Sequence, residues 1–133
     1  METKSTSLSR VNTAKGQRIL VVDDYEEMRF ALVSLFESEG FDVVGEAANG
    51  SEAVWRAGED QPDVIILDFR MPGLSAEQTA NVLRHVAPES RIVVFSGYLE
   101  DEPKWADAYM SKDQISELPE LVRKLASGRS TAT

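Results

Sequence analysis

Short apolar runs alternate with segments of helical periodicity along the central part of the chain. Five runs predict the strands of a sheet: RILVV, FDVVGEA, DVIIL, RIVVF and DAYM. Between them, apolar residues at helical spacing predict a helix that Gly40 ends, a second over 51–58, and a third over 75–86 with a capping box of Ser75 and Gln78. Apolar strands that alternate with helices indicate the α/β class, as a doubly wound parallel sheet.

The last part of the pattern predicts a helix over 116–126, and both ends of the chain lack any periodicity. Residues 1–16 and 127–133 are mostly small or polar, so we predict flexible tails there and one ordered domain over 17–126. Nothing after residue 126 is long enough for an effector domain, so the sequence predicts a single-domain protein.

Composition narrows the class of protein further. No apolar run is long enough to span a bilayer, and residues 1–16 contain no secretory apolar core. With no cysteine there is no disulfide framework, which fits a cytoplasmic location without membrane insertion. The net charge of −9 and the lack of a basic cluster argue against direct binding of nucleic acid.

Polar residues follow the carboxyl ends of the predicted strands. Asp23 and Asp24 follow the first strand, Asp68 the third, Ser96 the fourth and Lys112 the fifth. Each has an ordinary explanation when taken alone, since aspartate caps helices and opens turns. In a parallel sheet, however, all of them lie at the same edge, which is where such sheets bind ligands.

Three carboxylates at one edge repel each other unless a cation compensates their charge. Oxygen ligands favour Mg²⁺, for which Mn²⁺ can substitute, whereas zinc prefers Cys or His, and the only histidine is His85. A cation, an ammonium and a hydroxyl around one carboxylate predict a site for a phosphoryl group. Asp68 would then be its nucleophile.

Five motifs together closely resemble the receiver domain of two-component response regulators: ILVVDDYEEMR, EAANGSEAV, PDVIILDFRMPG, VVFSGY and AYMSKD. They are spread over nearly the whole length of 17–126, from Ile19 to Asp113. The resemblance implies a flavodoxin-like sheet of order 2-1-3-4-5. It implies a histidine kinase or histidine phosphotransfer protein as phosphoryl donor, and a downstream protein target. It leaves open whether the chain forms a homodimer.

The resemblance also implies a role for each matching residue. Asp68 would be the phosphoacceptor and a metal ligand, Asp24 a direct ligand of Mg²⁺, and Asp23 a ligand that acts largely through water. The backbone carbonyl of Arg70 would supply a further metal ligand, while the Arg70 side chain would influence the access of water to the phosphoryl group.

Four other residues carry implied roles in reading the phosphoryl group. Ser96 and Lys112 would bind its oxygens, Gly97 would leave room beside it, and Tyr109 would be an aromatic switch that turns inward on activation. The alternative for Tyr109 is an edge-strand residue that only covers the core.

Two features depart from the family pattern. Asp113 replaces a proline that usually follows the lysine across a cis peptide bond. Because a cis bond before another residue costs roughly 2.5 to 4 kcal/mol, either Lys112 is presented differently or the strain is retained. The segment 97–108 is also short, so we expect helix four of the fold to be shortened or lost and the output surface to be remodelled. Trp105 in this segment either anchors a partner or caps the core.

Two other functions remain possible from the sequence. A degenerate receiver would act as a phosphorylation-independent binding module. A Mg²⁺-dependent aspartyl-phosphate phosphohydrolase is disfavoured, because Arg70 stands two residues after Asp68, where such an enzyme would carry its acid/base aspartate. We therefore expect a phosphoacceptor switch rather than an enzyme. Trp55, in the second predicted helix, is interpreted as a packing residue.

Overall fold

The computed structural model describes residues 16–97 and 101–131. Five strands alternate with helices along these residues. The strands are β1 Arg18–Val22, β2 Asp42–Ala47, β3 Val64–Leu67, β4 Arg91–Ser96 and β5 Ala108–Ser111. The α-helices are α1 Glu26–Ser38, α2 Gly50–Asp60, α3 Ala76–Val86 and α4 Leu118–Thr131, and a 3-10 helix, Lys112–Glu117, precedes α4.

The strands form one parallel sheet in the order β2-β1-β3-β4-β5, which confirms the predicted class and topology. One apolar cluster covers each face: one includes residues of α2 and α3, and the other includes residues of α1 and α4. In the register, Val22 lies beside Leu67 and Leu67 beside Val94. The ends of β1 and β3 are therefore level, and β4 continues two residues further to Ser96, so the residues at these ends lie at one edge of the sheet.

The predicted helix signals have the expected local geometry. The hydroxyl of Ser75 accepts a hydrogen bond from the backbone N–H of Gln78, and the side-chain oxygen of Gln78 accepts one from the backbone N–H of Ser75, which confirms the capping box. Gly40 has a φ of 90°, a left-handed conformation that suits glycine after a helix. Across the described residues, no helix is long and apolar enough to cross a membrane.

The predicted end of the last helix was wrong. Helix α4 continues to Thr131 rather than ending at Ala126, and the 3-10 helix before it already starts at Lys112. The predicted tail 127–133 therefore begins inside a helix. Most of the predicted tail 1–16, and residues 132–133, lie outside the described residues.

The segment between β4 and β5 contains no helix among its described residues, which are 97 and 101–107. Hydrogen bonds from side chains hold this segment in place instead. The guanidinium of Arg84 donates to the Asp107 carboxylate at 3.1 Å and to the Trp105 carbonyl at 2.8 Å, and the same carboxylate accepts the backbone N–H of Ile92 at 2.7 Å. This confirms, for the described residues, the expectation that helix four is shortened or lost, and shows which contacts hold the short connection in place.

Gly50 allows the first turn of α2 to approach α3 closely. A Cβ at this position would lie 2.2 Å from the Thr79 hydroxyl and 3.1 Å from Cβ of Leu74. Since overpacking typically costs 1 to 3 kcal/mol, we expect Gly50→Ala to lower the free energy of unfolding by about 2 kcal/mol, measured by urea denaturation.

Gly58→Ala, in the same helix, is the matched control. Its Cβ would meet only Val86, at an ordinary 3.8 Å. Because alanine favours helix over glycine, this variant is expected to be more stable than the wild type by about 0.5 to 1 kcal/mol. Equal stabilities of the two variants would show that α2 does not depend on the close approach at Gly50.

Candidate functional site

Three aspartates converge at the carboxyl edge of the sheet, as predicted. One carboxylate oxygen from each of Asp23, Asp24 and Asp68 lies within 4.8 Å of the others. The backbone N–H of Asp23 donates to Ala47, and that of Asp68 donates to Val22, so sheet pairing continues past both strand ends. This pairing carries the side chains of Asp23 and Asp68 into the protein, where they are 1% and 5% exposed, while Asp24 is exposed.

Lys112 reaches the same cluster. Its ammonium nitrogen lies 2.8 Å from Oδ2 of Asp23 and 3.6 Å from Oδ1 of Asp68. The other oxygen of Asp23, Oδ1, accepts the backbone N–H of Tyr25 at 2.9 Å. Both oxygens of Asp23 thus have partners within the chain.

Asp113 stands where the family usually has a proline, and the structure presents Lys112 in a different way. No cis peptide bond occurs among the described residues, so the bond from Lys112 to Asp113 is trans. Lys112 opens the 3-10 helix, and the hydroxyl of Ser111 caps it by accepting the N–H of Asp113 at 3.2 Å. A proline at this position would have no such N–H to donate.

The environment of Asp68 makes its charged form costly. Burial raises the pKa of Asp68 to about 6, and the neighbouring negative charge of Asp23 acts in the same direction. The ammonium of Lys112 opposes the shift, but it lies closer to Asp23 than to Asp68. Among the described residues, the one positive charge of Lys112 therefore does not offset the negative charge of the three aspartates.

The remaining predicted residues surround this cluster. Ser96 is buried at the end of β4, in register with Ser111, the residue before Lys112. The backbone N–H of Arg70 lies 3.4 Å from Oδ1 of Asp68, and the Arg70 side chain is exposed. Within the described part of the chain, a Cβ built on Gly97 would meet no atom within 4 Å.

Tyr109 faces outward in the structure. The residue is 41% exposed, and its hydroxyl donates a hydrogen bond to the carboxylate of Glu102. That bond is the main cause that raises the pKa of the Tyr109 phenol. The residue predicted as a switch is therefore in an exposed position, tied to the short segment before β5.

The structure decides between the two roles left open for Trp105 and contradicts the role predicted for Trp55. Trp105 is partly buried against the cluster under α2 and α3 and stacks on Phe69, with ring centroids 6.5 Å apart, so it covers the core. The packing role predicted for Trp55 was wrong, since this side chain is 63% exposed. The buried face of α2 carries Ala53 and Ala57, and Trp55 lies on another face.

Sequence reasoning missed Arg29. Its guanidinium donates to the backbone carbonyl of Asp23 at 2.8 Å and to Glu46 at 3.2 Å. The spacing of six residues from Asp23 places Arg29 in the next helix, but nothing in the pattern of β2 indicates that Glu46 faces it. Only the packing of α1 beside β2 brings the three groups together.

The donor set fits a hard divalent cation. Carboxylate oxygens are the ligands that Mg²⁺ prefers, and three of them meet here within the described residues. Burial, followed by the negative charge of Asp23, raises the pKa of Asp68, and a bound cation would favour the charged form of this carboxylate. Asp23, Asp24 and Asp68 are the residues that would hold such an ion.

Comparison with known proteins identifies the family. Residues 19–115 match the family described as the response regulator receiver domain. The response regulator protein VraR of Staphylococcus epidermidis is 30% identical over 121 residues, 85% of this chain and 58% of VraR. The chemotaxis protein CheY of Thermotoga maritima is 36% identical over 81 residues, 61% of this chain and 68% of CheY. The chain thus spans little more than half of VraR.

Solved structures agree with the sequence match. The receiver domain of the response regulator NarL from Mycobacterium tuberculosis is 32% identical and has a TM-score of 0.74, with 85% of this chain and 98% of that domain covered. The response regulator TrrA of Thermotoga maritima, solved with Mg²⁺ and BeF, is 33% identical with a TM-score of 0.74, with 82% and 98% covered. With a family match over most of its length and this fold, the chain belongs to the response regulator receiver domain family.

Proposed function

We propose that this chain accepts a phosphoryl group on Asp68 in a Mg²⁺-dependent reaction and acts as a phosphorylation switch. The observation that carries the proposal is the position of Asp68, a buried carboxylate between other carboxylates and the ammonium of Lys112. Receiver domains act generally as phosphoacceptor switches and bind Mg²⁺ at an acidic pocket, and TrrA is a relative that was solved with Mg²⁺ and BeF. The same chemistry suits the pocket of this chain.

In the proposed reaction, an oxygen of Asp68 attacks phosphorus and forms an acyl phosphate, while the bond from phosphorus to the donor breaks and the donor leaves with that electron pair. Asp23, Asp24, Asp68 and the carbonyl of Arg70 would hold Mg²⁺, which supplies positive charge to the phosphoryl oxygens. The burial of Asp68 limits the competing access of water.

After transfer, the residues around Asp68 read the new charge. Lys112 is close enough to exchange its contact with Asp68 for one with a phosphoryl oxygen, and Ser96 would donate its hydroxyl to another. Tyr109 would then turn inward and give up its bond to Glu102. The exposed Arg70 side chain, and the space that the described residues leave beside Gly97, would set how easily water reaches the phosphoryl group.

Receiver domains take part in signalling with kinases and phosphotransfer proteins. We propose a histidine kinase or a histidine phosphotransfer protein as the donor here, and a protein target for the output, with phosphorylation shifting the population between two conformers. The single-domain form that the sequence predicts stays a prediction, as does the identity of the target.

The test is incubation with Mg²⁺ and acetyl phosphate, followed by intact mass spectrometry. The wild type is expected to gain one phosphoryl group, Asp68→Asn none, and the exposed control Asp113→Asn the same as wild type. Absence of label on the wild type would contradict the proposal and favour a degenerate receiver. Continued hydrolysis of a phosphoester, far beyond one equivalent, would favour a phosphohydrolase.

A further inference from the structure

Arg29 links the loop that carries two of the acidic residues to the outer strand of the sheet. It lies in the second turn of α1, and its side chain is only 18% exposed. One branch of the guanidinium, Nη1, donates to the backbone carbonyl of Asp23 at 2.8 Å. The Nε–H donates to the carboxylate of Glu46, in β2, at 3.2 Å. One side chain thus joins three elements at the edge of the pocket.

The Asp23 carbonyl is a sensitive point for the geometry of the site. It belongs to the peptide group that joins Asp23 to Asp24, and a peptide group is planar. A hydrogen bond that fixes this plane also limits the direction in which the Asp24 side chain leaves the backbone. Since Asp24 is exposed, it has little packing to hold it in place.

We propose that Arg29, oriented by Glu46, is a positioning residue for Mg²⁺ at the pocket formed by Asp23, Asp24 and Asp68. This inference deepens the proposed function, because it rests on Mg²⁺ binding at that pocket. Arg29 is a cation and would not itself be a ligand of Mg²⁺. It acts through the Asp23 carbonyl, which sets the arrangement of the loop.

Loss of a positioning residue should weaken Mg²⁺ binding, whereas loss of the Arg29 charge alone should strengthen it. A guanidinium beside a cation site repels the cation, so removal of the positive charge should strengthen Mg²⁺ binding by Coulomb interaction. Glu46 offsets that repulsion by pairing with Arg29. A substitution that keeps the charge and loses the geometry therefore separates the two effects. Arg29→Lys does this, because an ammonium lacks the planar fork that contacts two acceptors at fixed angles.

Arg123 offers a matched control elsewhere in the fold. Its Nη2 group donates both to the carbonyl of Glu39 at 3.3 Å and to the carboxylate of the same residue at 2.7 Å. As with Arg29, one arginine side chain donates hydrogen bonds to a backbone carbonyl and to a carboxylate. Here these bonds connect α4 to the end of α1. Arg123→Lys reproduces the loss of such a tie at a place that carries none of the metal ligands.

The experiment is titration with Mg²⁺ by isothermal calorimetry, with urea unfolding in EDTA as a measure of stability. Arg29→Lys is expected to raise the Kd for Mg²⁺ about tenfold, as for other residues that orient metal ligands. Glu46→Gln is expected to raise the Kd by a smaller factor, and Arg123→Lys to leave it unchanged. All three variants should show some loss of stability.

A purely structural role predicts a different result. If Arg29→Lys and Glu46→Gln lose stability as Arg123→Lys does, yet bind Mg²⁺ as tightly as the wild type, the inference is overturned and the proposed function stands. If the wild type binds Mg²⁺ but takes no label from acetyl phosphate, the proposed function fails while the Mg²⁺ titrations still decide the role of Arg29. A wild type that binds no Mg²⁺ would overturn both.

Discussion

Replacement of Lys112 by methionine is expected to lower the free energy of unfolding of the metal-free protein by about 3 kcal/mol at pH 8. Removal of one partner from a buried ion pair costs 3 to 5 kcal/mol, and the partial exposure of Lys112 favours the lower end. The ammonium lies between Asp23 and Asp68, so its loss leaves two buried carboxylates facing each other. Methionine keeps most of the volume of the side chain, which restricts the change to the charge.

Two conditions should restore much of the lost stability. Mg²⁺ would supply the missing positive charge, and acidification to about pH 5 would neutralise Asp68, whose pKa rises further without Lys112. The measurement is urea unfolding at pH 8 and pH 5, with EDTA or with Mg²⁺. Lys124→Met, which removes an exposed lysine from α4, should have little effect. A similar loss in both variants would show that Lys112 does not hold the carboxylates together.

Asp68→Asn is expected to stabilise the metal-free protein at pH 8 by about 2 to 3 kcal/mol. In the folded chain the pKa of Asp68 is raised from 3.8 to about 6, so its charged form destabilises the fold. Each pKa unit corresponds to 1.36 kcal/mol, which sets the size of the effect. The folded state binds the proton more tightly than the unfolded state, so the wild type loses stability as pH rises from about 4 to 6 and keeps the full penalty above that range.

The stability of the variant relative to wild type should therefore depend on pH. Its advantage is expected to be large at pH 8, to shrink as pH falls from about 6 to 4, and to vanish only below the unfolded-state pKa of 3.8, where Asp68 is protonated in both states. Urea unfolding in EDTA at several pH values measures this difference. Glu59→Gln, at an exposed position of α2, serves as a control whose difference from wild type should vary little with pH. A pH-independent difference for Asp68→Asn would contradict the raised pKa.

Much of the fold was predictable because its signals are local. Short runs of branched apolar residues between turn residues favour buried strands, and the capping box at Ser75 forms from residues three apart. The end of α4 was not predictable, because the residues there carry no such local signal. Small polar residues after Ala126 carry no apolar stripe, yet the helix continues through them to Thr131.

The sequence predicted which aspartates lie together in the candidate site, but it did not predict the contacts of the side chains around them. Parallel topology alone brings Asp23, Asp24 and Asp68 to one edge, because each follows the end of a strand. The roles of Trp55 and Trp105 were not accessible in this way. They depend on which face of α2 meets α3 and on how closely the segment before β5 packs on the core.

The sequence by itself determined the class of fold, the strand order that the family implies, and the acidic edge of the sheet. These follow from periodicity, caps and strand ends, which act over a few residues. Only the tertiary structure decided that the Lys112 ammonium contacts Asp23 while the peptide bond from Lys112 to Asp113 is trans. The same is true of the hydrogen bonds from Arg29 to the Asp23 carbonyl and to Glu46. Such contacts join residues far apart in the chain, and they depend on distances that only the packing of α1, β2 and the 3-10 helix fixes.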